Sequence, residues 1–190
     1  MNIYADGNKG ENICFSGGAQ GADLAFGAIA QSVNHKVIHY HFEEKYSNRL
    51  FFNILSDELL TLADPFVKRA NKKIKRKFPS SSIHTNNLLR RNFYQIKDSN
   101  SVYAVAPLDS ETGFVKGGTA WACQMFLDRN PYGDLYLFDI ISKNWLTWIP
   151  IQNRFHLMDE KPLMPSGKWT GIGSRFIDKI DEIAIYKLFT

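Results

Sequence analysis

Apolar positions along the chain follow two rhythms. Short, nearly unbroken apolar runs occur at residues 12–16 (NICFS), 36–40 (KVIHY), 101–107 (SVYAVAP), 134–140 (DLYLFDI) and 168–173 (KWTGIG). Runs of this length bounded by polar or turn residues predict strands buried on both faces. Between them, helical spacing predicts helices over residues 22–32, 50–62, about 85–97, about 119–127 and 174–188. Asp64-Pro65 reads as an N-cap followed by Pro at the first helical position. Phe66, Ala70, Ile74 and Phe78 then recur every four residues until Pro79–Ser82 breaks the pattern. Residues 145–157 alternate as a hairpin would. Strands alternating with helices predict an α/β fold with a mainly parallel sheet. Residues 43–88 exceed a normal crossover and read as a helical insertion, a lid or an oligomer contact.

Composition narrows the class. The chain has 190 residues, 44% of them hydrophobic, which suits one globular domain with its own core. No apolar run approaches the ~18 residues that span a bilayer, so no membrane partner is expected. The first residues lack the apolar core of a signal peptide, and the expected location is the cytoplasm. Cys14 and Cys123 lie in apolar contexts and read as buried free thiols. The five histidines are scattered; His39 and His41 share a strand face without a third ligand, so no metal or other cofactor is expected. The formal charge is +4, yet residues 68–77 (KRANKKIKRK) carry seven Lys or Arg, and outside them 16 basic residues face 19 acidic ones. One basic element on a near-neutral domain offers phosphate contacts to nucleic acid, or a solvated face.

The glycines change the picture most. Three strand-to-helix turns carry them: Ser16–Gly21, Gly117–Thr119 and Gly171–Ser174. In a parallel sheet such turns share the carboxyl edge of the strands. Helix N-termini there present unpaired N–H groups and partial positive charge. Glycine lets that backbone approach a ligand, and an anion such as phosphate is the natural occupant. Neither a Walker A loop nor a strict G-x-G-x-x-G is present.

The motif SGGAQGAD, from Ser16 to Asp23, resembles the Ser-Gly-Gly-Ala-x-Gly-Ala-Asp signature of the SLOG superfamily. That superfamily includes the lonely-guy phosphoribohydrolases, the DNA-processing protein A family and small bacterial nucleotide-binding proteins. LLRRN, SVYAVAP and GGTAWA resemble its later elements in the expected order, and TGIGSR resembles its first-strand motif. The resemblance covers most of the chain outside residues 43–88 and 142–166. It implies a Rossmann-like three-layer fold, circularly permuted, because the Gly173-Ser174-Arg175 strand closes the chain instead of opening it. It also implies nucleotide ligands and a homo-oligomer. Lonely-guy enzymes carry a catalytic Glu where the alignment of Gly118-Thr119 puts Ala122, while Arg91 matches their preceding arginine. The anion-binding half of a catalytic pair is thus present and the acid is missing.

The expected ligand-binding set is Ser16, Gly17, Gly18, Ala19, Gly21, Asp23, Arg91, Asn92, Gly117, Gly118, Thr119, Gly173, Ser174 and Arg175. Arg91 and Asp23 are also the candidates for catalysis; Asp139 is a further carboxylate. Asp23 reads either as a partner of a ribose hydroxyl or as an acid stabilising the helix start. Arg90 reads as a surface residue. Tyr94 extends the wall near Asn92, and Trp121 and Trp169 lie near glycine turns as base-stacking or core residues. The leading expectation is a nucleotide-binding sensor or sequestering protein, bacterial or phage in character, countering a nucleotide defence signal in the phage case. A nucleotide N-glycosidase and a DNA-binding protein are the alternatives.

Overall fold

The computed structural model describes residues 10–190. In chain order these form β1 (Ile13–Ser16), α1 (Ala22–Ser32), β2 (Lys36–His41), β3 (Phe52–Ile54), α2 (Asp57–Leu62), α3 (Asp64–Ile74), α4 (Ile83–Ile96), β4 (Ser101–Ala106), β5 (Leu108–Asp109), β6 (Phe114–Val115), α5 (Thr119–Arg129), β7 (Asp134–Asp139), β8 (Asn144–Ile149), β9 (Arg154–Leu157), β10 (Lys168–Gly173) and α6 (Lys179–Lys187). Eight strands make one sheet in the order β3-β2-β1-β10-β4-β7-β8-β9, and β5 and β6 make a small ribbon. Strands β3 to β7 across that order run parallel, while β8 and β9 add antiparallel to the edge. The expected α/β fold with a mainly parallel sheet is therefore present, with helices on both faces.

Alternation along the strands sorts the two cores. On β4, Val102, Ala104 and Ala106 face α4 and α5, while Tyr103 and Val105 face α1 and α6. Burying Val102 or Val105 contributes about 1.5–3 kcal/mol each. The last strand, β10, lies centrally between β1 and β4, and α6 packs beside α1. Phe189, just past α6, meets Trp169 and His35 at the edge where β1 begins.

Three expectations are corrected. The helix predicted over residues 50–62 starts at Asp57, because Phe52–Ile54 pair with His39–His41 and extend the sheet. Ser56 then caps α2 by accepting the Leu59 N–H. The stretch before α4 is therefore a strand plus two helices, and not helical throughout. α3 stops at Ile74, with Lys75 left-handed, so Phe78 falls outside the helix; Val67 and Ala70 are its fully buried positions. The last helix begins at Lys179, fixed by a capping box between Asp178 and Asp181. Residues 174–178 lie outside it, and the third glycine turn is not a helix N-terminus.

Candidate functional site

The carboxyl ends of β1, β10 and β4 meet at one edge of the sheet, and Asp23 ties the first two to α4. Its side chain is buried at the start of α1. Oδ1 accepts the Gly173 N–H at 2.9 Å. Oδ2 accepts the Gly17 N–H at 3.2 Å, Arg91 Nη1 at 3.0 Å and Gln95 Nε2 at 3.4 Å. The Ser16 hydroxyl donates to the Asp23 carbonyl at 2.6 Å and accepts the Gly18 N–H at 3.2 Å. Two amides of the first turn are thus spent inside the protein. Gly17 is required because the Arg91 guanidinium stands 1.0 Å from where a Cβ would be. Gly21, at φ +94°, packs against the carbonyls of Ser174 and Arg175. The glycines of β10 serve packing as well: a Cβ on Gly171 would strike Phe26, and one on Gly173 the Val105 carbonyl.

Between these elements lies a cavity of about 420 Å³. Of the residues named from sequence, Ala19, Asp23, Arg91, Asn92, Gly117, Gly118, Thr119, Gly173, Ser174 and Arg175 line it. Ser16, Gly17, Gly18 and Gly21 do not; they form the layer behind the wall. Helix α4 joins the two remaining turns. Arg91 reaches Asp23 of the first, and Asn92 Nδ2 reaches the Gly118 carbonyl of the second at 3.4 Å. At the second turn Gly117 has φ +68° and nothing within 4 Å of its missing Cβ. That backbone is open in the sense the sequence suggested.

Three polar side chains in the wall are more than nine-tenths buried, with capacity left over. Arg91 is 5% exposed, Asn92 6% and Thr119 7%. Arg91 Nε is buried without a hydrogen-bond partner among the described residues. The Thr119 hydroxyl likewise makes no hydrogen bond within the described residues, although it opens the helix that starts at the second turn. Buried polar groups are normally paired, which Arg91 Nε is not; a hydroxyl free to donate at a helix N-terminus beside an open glycine backbone suits an anion. Lys116 and Arg175 lie on the rim with no ion-pair partner among the described residues. Asp23 is the one acid in the lining, and Arg91 already neutralises it.

Other sequence candidates take different places. Arg90 is not a free surface residue; it donates from Nε to Asp64 Oδ1 at 2.6 Å and clamps α4 to α3. Tyr94 donates to the Leu59 carbonyl. Trp169 is fully buried at the far end of β10, its Nε1 donating to His35 Nδ1 at 3.2 Å, and cannot stack on a ligand. Trp121 is buried under the Arg76 guanidinium, 5.2 Å from its ring, and is not part of the cavity wall. Asp139 ties the end of β7 to its neighbours, accepting the amides of Leu108, Ile141 and Ser142. Burial works against its charge, yet these donors hold its pKa below the usual range. Burial pushes the thiol of Cys123 up to about 12 and that of Cys14 higher still, so both stay protonated. His39 and His41 lie beside Phe52, and no group of three or more metal-ligating residues occurs among the described residues.

The basic segment is partly internal. Lys73 pairs with Asp128 at 2.6 Å. Arg76 donates to the carbonyls of Gly117 at 2.7 Å and Val115 at 3.0 Å, which braces the second glycine turn. Sequence reasoning missed this brace, as it missed Lys116, Phe176 and the apolar wall of Leu88, Leu89 and Pro107. Long-range contacts of the insertion leave no local signal; the Phe-after-Arg175 position was visible only as a helix residue. No described helix is long and apolar enough to cross a membrane. No protein-family model, no curated protein and no solved structure matches this chain.

Proposed function

We propose that this protein binds a nucleotide or nucleotide-derived ligand in the cavity at the carboxyl edge of its sheet, holding it as a sensor or sequestering protein does. One observation carries the reading: Thr119, 7% exposed and with a hydroxyl that bonds nothing among the described residues, stands at a helix N-terminus beside the open Gly117-Gly118 backbone. Those groups, with Lys116 and Arg175 on the rim, suit a phosphate. The cavity of about 420 Å³ has the size of a small-molecule site. On this reading the motif likeness to the SLOG superfamily reflects membership in it, in permuted order.

Holding is favoured over cleavage by the state of the acids. Glycosidic bond cleavage asks for a carboxylate able to take or give a proton beside the bond. Asp23 accepts four donors, and Asp139 lies outside the lining. The test is mass spectrometry of small molecules released from the purified protein, followed by calorimetry with nucleoside mono- and diphosphates, cyclic nucleotides and dinucleotides. Recovery of an intact nucleotide is the expected outcome. Absence of binding across that panel overturns the reading, and release of free base moves it to the hydrolase class.

A further inference from the structure

Phe176 is the aromatic side chain of the cavity wall, and it stands 82% exposed. A ring left in water contributes nothing to the fold through burial. Its backbone is nevertheless pinned. The Ser174 hydroxyl accepts the Phe176 N–H at 3.1 Å and donates to the Phe176 carbonyl at 2.9 Å. Ser174 itself is tied by its N–H to the Val105 carbonyl at 2.7 Å and by its carbonyl to the Ala22 N–H at 3.0 Å. The protein thus fixes the root of an apolar ring at the rim of a cavity whose other lining includes Leu88, Leu89 and Pro107. The polar groups at Gly117–Thr119 account for an anion and leave this apolar surface without an occupant.

We infer that Phe176 and the Leu88–Leu89–Pro107 wall form a slot for a planar heteroaromatic base, so that the ligand is selected through its base as well as its phosphate. This rests on the reading of the cavity as a nucleotide site and assigns its specificity to a residue outside every glycine turn. Stacking suits the surface chemistry: every base has a π face, and such contacts tolerate changes of base identity. Arg175, next in the chain, also lines the cavity, so the segment 175–176 offers a cation and a ring to one ligand.

The test uses the full chain, calorimetry and three kinds of probe: the four common nucleoside 5′-monophosphates, ribose 5-phosphate and inorganic phosphate. At least one nucleotide should bind about tenfold more tightly than ribose 5-phosphate, the size of one base–aromatic stack. Phe176→Ala should lower that nucleotide's affinity about tenfold and leave ribose 5-phosphate unchanged, and Phe176→Trp should restore it. The position is exposed, so both variants should fold as the parent does. Equal binding of ribose 5-phosphate and all nucleotides, or an unchanged nucleotide affinity in Phe176→Ala, overturns the slot while leaving a phosphate site. Equal loss of both probes also overturns it. No binding of any probe to the parent protein overturns the slot for a nucleoside monophosphate, while the cavity reading is overturned by absence of binding across the wider nucleotide panel.

Discussion

The side chain of Asp23 and that of Thr119 line the same cavity, yet their losses should differ in kind. Asp23→Ala leaves the buried Arg91 guanidinium without its carboxylate and strips an acceptor from Gly17, Gly173 and Gln95. Breaking a buried pair from one side costs about 3–5 kcal/mol. The expected result is a large fall in the urea midpoint, with little soluble protein at physiological temperature. Thr119→Val removes a hydroxyl that bonds nothing within the described residues, at nearly constant volume. Its free energy of unfolding should stay within about 1 kcal/mol of the parent, while phosphate-bearing ligands lose about tenfold in affinity, the size of one hydrogen bond to a charged group. A Thr119→Val protein that is destabilised and binds normally would show the hydroxyl to be structural. The sequence could not separate these two roles. It likewise could not separate Gly17, cleared for a guanidinium, from Gly117, held left-handed at φ +68° with open space where a Cβ would be. Both needs ask only that a Cβ be missing.

At the level of elements, the insertion braces the second glycine turn through Arg76. Arg76, beyond the end of α3, holds the carbonyls of Val115 and Gly117 and covers Trp121. Arg76→Ala should leave the α/β core standing, with a stability loss of about 1–3 kcal/mol for two carbonyls losing a charged donor. Its larger effect should be local: faster hydrogen exchange at residues 115–119 and weaker ligand binding. Exchange that stays parental at those amides would mean that the turn is rigid without the brace. The elements that the chain announces locally, such as β1, α1, α4 and β4, were legible because burial on both faces and helical spacing leave clear patterns. β3 was not: FNI is too short to show a period, and it is a strand only because β2 offers it an open edge. The start of α6 was misread because residues 174–178 carry helix-compatible side chains, while Asp178 holds the cap through its neighbours.

The whole molecule should be sensitive to acid in two separable windows. His39 and His41 are each 4% exposed on β2, and burial lowers both from 6.5 to about 4. Around His39, Asp23 raises the value and Arg91 lowers it; around His41, Arg91, Lys45 and His84 lower it and Glu43 raises it. Burial lowers His35 as well. The folded protein therefore keeps these rings neutral, while the unfolded chain takes up protons below pH 6.5. Stability is fully present above 6.5 and is lost as pH falls toward 4, because the unfolded state binds more protons there. The slope reaches at most about 1.4 kcal/mol per pH unit for each ring. Asp139 acts lower: its depressed carboxyl contributes above its ordinary 3.8, and that share disappears only as pH drops further. Urea midpoints should thus stay level from pH 7.5 to about 6.5 and fall from there toward pH 4, before the carboxylate window opens. His39→Gln should flatten that descent, since an amide takes no proton and the unpartnered Nδ1 of His39 gives up no bond. A parental slope in His39→Gln would mean that the ring is already protonated in the fold, beside Asp23, and that the acid response comes from elsewhere on the chain.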